Sequence, residues 1–337
     1  MRCQVKIGLT FGMGLGITKD EILAVVRRAE ELGYHSVWMG EGWGPEVFTQ
    51  LTWLACNTHS IKVGTGIANV FSRSPALMAQ AAATLDEISG GRFILGLGTS
   101  GPGVIENWHG IPFRKPVRRT REYIEIVRKA LAGERVDYQG ELFHLSGLRL
   151  AMDVMPKHVP IYVAAMGPEN IRLVGELADG WMPIWLWPDY LEELKRPLVA
   201  ATQAAGRSDS VAIAPYALTC VADGDLEEVR RLARAEVALY VGGMGTFYND
   251  LVRRYGFETE AAAIKEAWGR GGRREAIPQV SDELLAAVTN VGSAKECRRK
   301  AETYASRGVD LYTILFPHGV SKEMVWRTIE AMAPGRG

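Results

Sequence analysis

The sequence predicts a (β/α)8 barrel, and three observations point there. Strand-like and helix-like segments alternate along the whole chain. About eight such units can be counted, and their strands are apolar on both faces, as a fully covered parallel sheet requires. Eight closed units make a barrel, whereas an open doubly wound sheet is normally shorter. The length of 337 residues suits one large α/β barrel or two average domains. No linker divides the chain, so a single domain is expected.

Each element has a local justification. Residues 5–10 (VKIGLT) read as the first strand. Thr18 with Glu21 makes a capping box, opening a helix with Ile22, Val25, Val26, Ala29 and Leu32 on its apolar face. Gly33 stops it. SVWMG (36–40), a helix near 47–58 and the strand IKVGTGI (61–67) follow. Pro75 opens an alanine-rich helix whose apolar face reads as Leu77, Ala81, Leu85 and Ile88, closed by Gly90 and Gly91. FILGLG (93–98) is a buried strand, and a helix covers 116–132.

The second half repeats the theme. IYVAA (161–165) is a strand, a helix runs from Pro168 to near Gly180, and WMPIW (181–185) is extended. A helix near 189–205 precedes the strand VAIAPYALTCV (211–221). Ser293 and Glu296 form a second capping box, whose helix reaches Gly308 before VDLYTIL (309–315). Two insertions break the alternation. Residues 135–150 read as a small hairpin or loop, and 222–290 as a charged, mostly helical lid or interface segment interrupted by GRGGRR (269–274).

Composition excludes several functions. Lys+Arg 39 against Asp+Glu 39 leaves no field to attract nucleic acid or an acidic membrane, and no small anion is held by net charge. No signal sequence or membrane span is read, so a cytoplasmic protein is expected. Cys3, Cys56, Cys220 and Cys297 form no CxxC pair and read as free buried thiols of a reducing compartment. The histidines (35, 59, 109, 144, 158, 318) show no HxH or HExxH spacing, which disfavours a metal-dependent aldolase or isomerase.

Barrel chemistry sits where strands end and helices begin. After the second strand comes Glu41-Gly42-Trp43-Gly44, where Glu41 could contact a heterocycle edge or relay a proton, or be a loop carboxylate that caps a helix or pairs with an arginine. After the third, Gly64-Thr65-Gly66-Ile67-Ala68-Asn69 suggests either a bulge or a close approach of backbone to ligand. The loop from Gly96 through Thr99, Ser100 and Gly101 to Gly103 exposes main-chain N–H groups, but lacks dinucleotide spacing and a P-loop lysine. Ala165-Met166-Gly167-Pro168 opens a helix whose free N–H groups suit a phosphate, or is ordinary helix punctuation. Phe11, Trp43, Phe71, Trp185 and Trp187 are the aromatic residues expected to line an apolar substrate pocket, although some must be core.

The run GTGIANVFSRSPALMAQAAATLDEISGGRFILGLGTSG (64–101) closely resembles the luciferase-like flavin and deazaflavin oxidoreductases. Within that family it is most similar to the coenzyme F420 branch, which includes methylenetetrahydromethanopterin reductase. Residues 164–181 and 290–317 carry the same resemblance, so it spans nearly the whole chain. The resemblance implies a non-prolyl cis peptide at Gly66-Ile67 backing the deazaflavin ring, with Ala68 and Asn69 at its pyrimidine side. It places Thr99, Ser100, Gly101 and Val104 along the ribityl chain, and Ala165, Met166, Gly167 and Pro168 at the phosphate. Glu41 falls where the family has an acidic residue near the ring.

Departures from the family matter equally. The sugar-phosphate and alcohol dehydrogenases carry His directly after that acidic residue, where this chain has Gly42. Their glutamate after the fourth strand corresponds to Gly101. Glu41, Glu106 and His109 are then the candidate proton donors, and a reductase drawing its proton from water would need none. The expected protein is an F420-dependent oxidoreductase acting on a small apolar or conjugated substrate, as a homodimer. An FMN-dependent monooxygenase and a non-catalytic flavin-binding barrel are the alternatives.

Overall fold

The computed structural model describes residues 5–12 and 15–335. In chain order its elements begin with β1 (Lys6–Phe11), α1 (Lys19–Glu31), β2 (Ser36–Met39), α2 (Val47–Cys56), β3 (Lys62–Thr65) and β4 (Ala68–Asn69). Then come α3 (Pro75–Ser89), β5 (Phe93–Gly98), α4 (Pro102–Asn107), α5 (Pro116–Leu131), β6 (Val136–Gln139) and β7 (His144–Leu148). Next are β8 (Ile161–Val163), α6 (Pro168–Leu177), β9 (Gly180–Trp181), α7 (Leu191–Ala204), β10 (Ala212–Ile213) and β11 (Tyr216–Val221). The chain closes with α8 (Leu226–Ala238), α9 (Phe247–Arg254), α10 (Glu258–Ala276), α11 (Asp282–Val288), β12 (Thr289–Gly292), α12 (Ala294–Ser306), β13 (Leu311–Leu315) and α13 (Lys322–Ala331).

The chain packs as two compact units made of interleaved segments. One takes the described residues up to Tyr34, residues 183–194, and everything from Ala214 onward; the other takes 35–182 and 195–213. In the first, four parallel strands lie in the order β1, β13, β11, β12. In the second, six parallel strands run β2, β3, β5, β8, β9, β10, with β4 added beside β5.

Local signals set the helix ends. Thr18–Glu21 and Ser293–Glu296 are both reciprocal capping boxes. Gly90 ends α3 in the left-handed conformation at φ 67. Residues 136–148 form the expected antiparallel hairpin, β6 with β7. Its turn is tied down by the fully buried Glu122, whose carboxylate accepts from the N–H groups of Glu141 (2.8 Å), Leu142 (2.9 Å) and Phe143 (3.1 Å) and from Arg118 Nε (2.7 Å). Burial opposes that charge, but the three amides and Arg118 outweigh it and hold the carboxyl below its ordinary range.

Several expectations need correction. The buried face of α3 is Met78, Ala79, Ala82, Ala83, Leu85, Asp86 and Ser89, while Leu77 (51%) and Ile88 (44%) are exposed. Small alanines beside Met78 and Leu85 let this helix pack closely, and Leu77 and Ile88 are left on the outer side. The segment 211–221 is two strands, β10 and β11, because Ala214-Pro215 interrupts the ladder. The insertion expected to run to residue 290 ends earlier, since β12 at Thr289–Gly292 pairs with β11 inside the sheet. Cys220 and Cys297 are buried, Cys56 is exposed, and Cys3 lies outside the described residues. No helix among the described residues is long and apolar enough to cross a membrane.

Candidate active site

Four strand ends in the second unit are laced together by main-chain hydrogen bonds. Gly66 N–H donates to Met39 O at 2.6 Å, and Glu41 N–H to Ile67 O at 3.3 Å. Ala68 and Asn69 pair with Leu97 and Gly98. Ala164 N–H donates to Leu97 O at 2.9 Å. The segments 39–41, 66–69, 97–101 and 164–167, far apart in sequence, therefore lie side by side. The Gly66-Ile67 peptide is cis, as the resemblance implied.

Glycine makes that close lacing feasible. A Cβ on Gly96 would stand 1.9 Å from Thr65 O, and one on Gly98 would stand 2.9 Å from Ile67 Cγ1. Gly101 and Gly167 are different. Each is the N-cap before a proline-opened helix, α4 or α6, and neither helix has a side-chain cap bond. Both have ordinary extended backbone (φ −106 and −85), and an added Cβ would meet nothing within 4 Å. Neither glycine answers a demand of the chain itself, and neither puts a side chain over the first turn of its helix, although Val104 N–H in α4 already donates to Gly101 O at 3.1 Å. In α6 the buried Oδ1 of Asn170 also has no hydrogen-bond partner among the described residues.

Glu41 is engaged differently from a free relay group. Its two oxygens accept from Arg73 at 2.7 and 2.6 Å, and Asn69 Nδ2 approaches at 3.4 Å. The pair is nearly buried, with side-chain exposures of 8% for Glu41 and 14% for Arg73. Arg73 also reaches Glu46, the N-cap of α2. Burial works against the guanidinium charge, but Glu41 and Glu46 outweigh it and push Arg73 up. Asn69 spends its Oδ1 on the amides of Phe71 (3.0 Å) and Ser72 (2.8 Å), so its side chain builds the turn before α3. Sequence reasoning missed Arg73. The visible signal was an arginine four residues past Asn69, in the segment that caps α3.

The other candidates separate clearly. Thr99 and Ser100 lie on the open loop, with Ser100 at φ 55. Val104 and His109 are half-buried in and after α4, and His109 Nε2 is buried without a partner among the described residues. Glu106 is exposed and accepts from Phe113 N–H at 3.1 Å. Ala165 is buried, its carbonyl taken by Trp181 Nε1 at 2.8 Å, while Met166 is half-buried and Pro168 exposed. Trp43, two residues after Glu41 in the chain, is 58% exposed.

Two aromatic candidates are core instead. Phe11 is 1% exposed against Phe316, and Phe71 is 5% exposed, stacked on Phe113 with the Arg119 guanidinium over its ring. Their apolar area is already buried within the protein. Trp185 and Trp187 belong to an aromatic cluster of the first unit, with Tyr240, Tyr190, Tyr255 and Phe257. No group of three metal-ligating side chains occurs among the described residues.

Such strand-end loops on a parallel α/β scaffold define a barrel-type coenzyme-binding protein. The chain belongs to the luciferase-like monooxygenase family, which it matches over residues 6–311. Its fold is the (β/α)8 barrel of that family. The solved coenzyme F420 dependent tetrahydromethanopterin reductase from Methanopyrus kandleri superposes with a TM-score of 0.84 at 26% identity, covering 98% of each chain. A Mycobacterium tuberculosis protein named as a coenzyme F420-dependent oxidoreductase is 32% identical over 338 residues, 93% of this chain and 96% of its own. The 5,10-methylenetetrahydromethanopterin reductase of Archaeoglobus fulgidus is 32% identical over 310 residues, 90% of this chain and 91% of its own.

Proposed function

We propose that this chain is a coenzyme F420-dependent oxidoreductase, moving hydride between the deazaflavin and a small apolar or conjugated organic substrate. One observation carries the reading: the segments that its F420-dependent relatives would use lie side by side, with two helix starts that carry no side-chain cap. Residues 66–69 would back the ring, Thr99, Ser100, Gly101 and Val104 would follow its side chain, and 165–168 would receive the phosphate. When bound, the coenzyme supplies a two-electron hydride donor or acceptor. The protein's own contribution is position and exclusion of water.

Glu41 takes part through Arg73. Tied by two short bonds, it fixes the end of β2 against 66–69 and does not shuttle protons. With Gly42 and Gly101 where dehydrogenases carry His and Glu, an alcohol or sugar phosphate is disfavoured. Reduction of a polarised double bond fits better. Trp43, exposed and two residues after Glu41 in the chain, is the aromatic surface offered to a flat substrate.

A second copy of the chain completes the proposal. Leu77, Ala81, Thr84 and Ile88 recur at spacings of four, three and four along the outer side of α3, with Leu77 and Ile88 exposed. That spacing makes a helical seam suited to self-association. Free thiols at Cys56, Cys220 and Cys297 suit the cytoplasm.

The test is titration of the purified protein with F420 and with FMN, followed by cofactor fluorescence. F420 should bind, and anaerobic oxidation of reduced F420 should follow when α,β-unsaturated ketones are added. Tight FMN binding with none of F420 overturns the cofactor assignment. F420 binding without turnover by any acceptor supports the non-catalytic alternative.

A further inference from the structure

Arg119, in the first turn of α5, is a cation without a counterion among the described residues. Its Nε is buried and has no hydrogen-bond partner there. Two other arginines of the helix are committed: Arg118 donates to Glu122 at 2.7 Å, and Arg121 pairs with Glu176. The carboxylate nearest to Arg119 in the sequence, Glu122, already serves Arg118 and the three amides of the hairpin turn. No acidic residue lies in the first turn of α5, and a cation there stands against the helix dipole. Arg119 therefore does nothing for its own helix.

Aromatic rings hold the guanidinium instead. Its carbon lies 4.6 Å from the centroid of Phe71 and 5.1 Å from that of Phe143. Phe113 stacks on Phe71 and Tyr123 packs edge-on against Phe143, so the two rings are themselves fixed. Ring faces attract a cation but give its N–H groups no oxygen to bond. Burial here pulls Arg119 down from its ordinary range, whereas carboxylates push Arg73 and Arg118 up. A planar fork held between rings, with donors unspent, is set for an oxyanion.

The aromatic box adjoins the strand-end segments within one compact unit. Phe71 follows residues 66–69, and its N–H donates to Asn69 Oδ1 at 3.0 Å. Tyr123 Oη donates to Arg73 O at 3.2 Å and ties α5 to the same turn. We propose that Arg119 is a specificity residue receiving the carboxylate or phosphate of a bound small molecule, and that the preferred acceptor is a conjugated ketone carrying such a group. This rests on the oxidoreductase reading above. A chain of zero net charge draws no anion by its overall field, so one uncompensated guanidinium decides between acidic and neutral acceptors of like shape. The coenzyme's phosphate is assigned to 165–168, which leaves this cation for the acceptor; another acidic group of the coenzyme is the second source of the same chemistry.

Arg119→Met keeps an unbranched side chain between the rings and removes the charge, while Arg119→Lys keeps the charge without the fork. With F420-loaded, full-length protein, the KM for trans-4-oxopent-2-enoate should rise about 10- to 100-fold in Arg119→Met. The KM for the neutral pent-3-en-2-one and the Kd for F420 should hold, and Arg119→Lys should recover part of the loss. A raised Kd for F420 with both acceptors unaffected gives the anion to the coenzyme and overturns the acceptor class. Unchanged values throughout overturn the subsite. A second readout needs neither cofactor nor a stable variant: the Arg119 Nε–H signal in 15N NMR of the wild-type protein should shift on adding trans-4-oxopent-2-enoate and stay in place with pent-3-en-2-one. No shift with the acid also overturns the subsite. A wild-type protein that binds F420 but passes hydride to neither ketone overturns the parent reading instead, and the NMR titration still decides on Arg119.

Discussion

Replacing Gly167 by valine puts a β-branched side chain on the N-cap of α6, at φ −85 and ψ 151, where an added Cβ meets no atom within 4 Å. Extended backbone suits valine, and removing glycine from such a position stabilises by about 0.4–1 kcal/mol through the unfolded chain. The melting temperature of the free protein should therefore move by only about 2 °C. Cofactor binding should respond very differently. A phosphate at this helix start would accept charge-assisted bonds worth about 1.5–3 kcal/mol each. Pushing it away from one or two of them costs about 3 kcal/mol, roughly a 100-fold rise in Kd. Thermal unfolding of the free protein and fluorescence titration with F420 measure the two effects separately. An unchanged Kd with an unchanged melting temperature would place the phosphate elsewhere and refute the assignment of residues 165–168.

Two further outcomes follow from the same geometry. Glu122→Gln sets an amide N–H₂ against donors now served by a carboxylate, and should cost about 2–4 kcal/mol in denaturant unfolding. Because the native carboxyl is held below its ordinary value of 4.5, its contribution is complete above that value and lost as pH falls through the depressed one. The variant should accordingly show a flatter acid limb, and an identical limb would remove Glu122 as its source. Leu77→Glu with Ile88→Glu should convert the proposed dimer into monomers by sedimentation without altering the fold, since both side chains are exposed. Persistence of the dimer would exclude the α3 seam.

What could be read directly was local. The capping boxes at Thr18 and Ser293, the left-handed Gly90 and the hairpin near 136–148 each involve residues a few positions apart, whose chemistry is complete within one turn. The alternation of apolar strands and amphipathic helices gave the fold class for the same reason. The glycine-rich strand ends were legible as points of close backbone approach, which Gly96 makes to Thr65 and Gly98 to Ile67.

Packing across the chain settled everything that depends on distance in sequence. Leu77 and Ile88 matched a helical period, but the alanine face of α3 won the sheet because small side chains allow the closest contact. Phe11 and Phe71 were indistinguishable from pocket aromatics until their neighbours Phe316 and Phe113 covered them. Glu41 and Arg73 are 32 residues apart. Periodicity and spacing report which face a residue takes within its own element, whereas an ion pair forms between whichever charges folding leaves together, and burial then makes separating them costly.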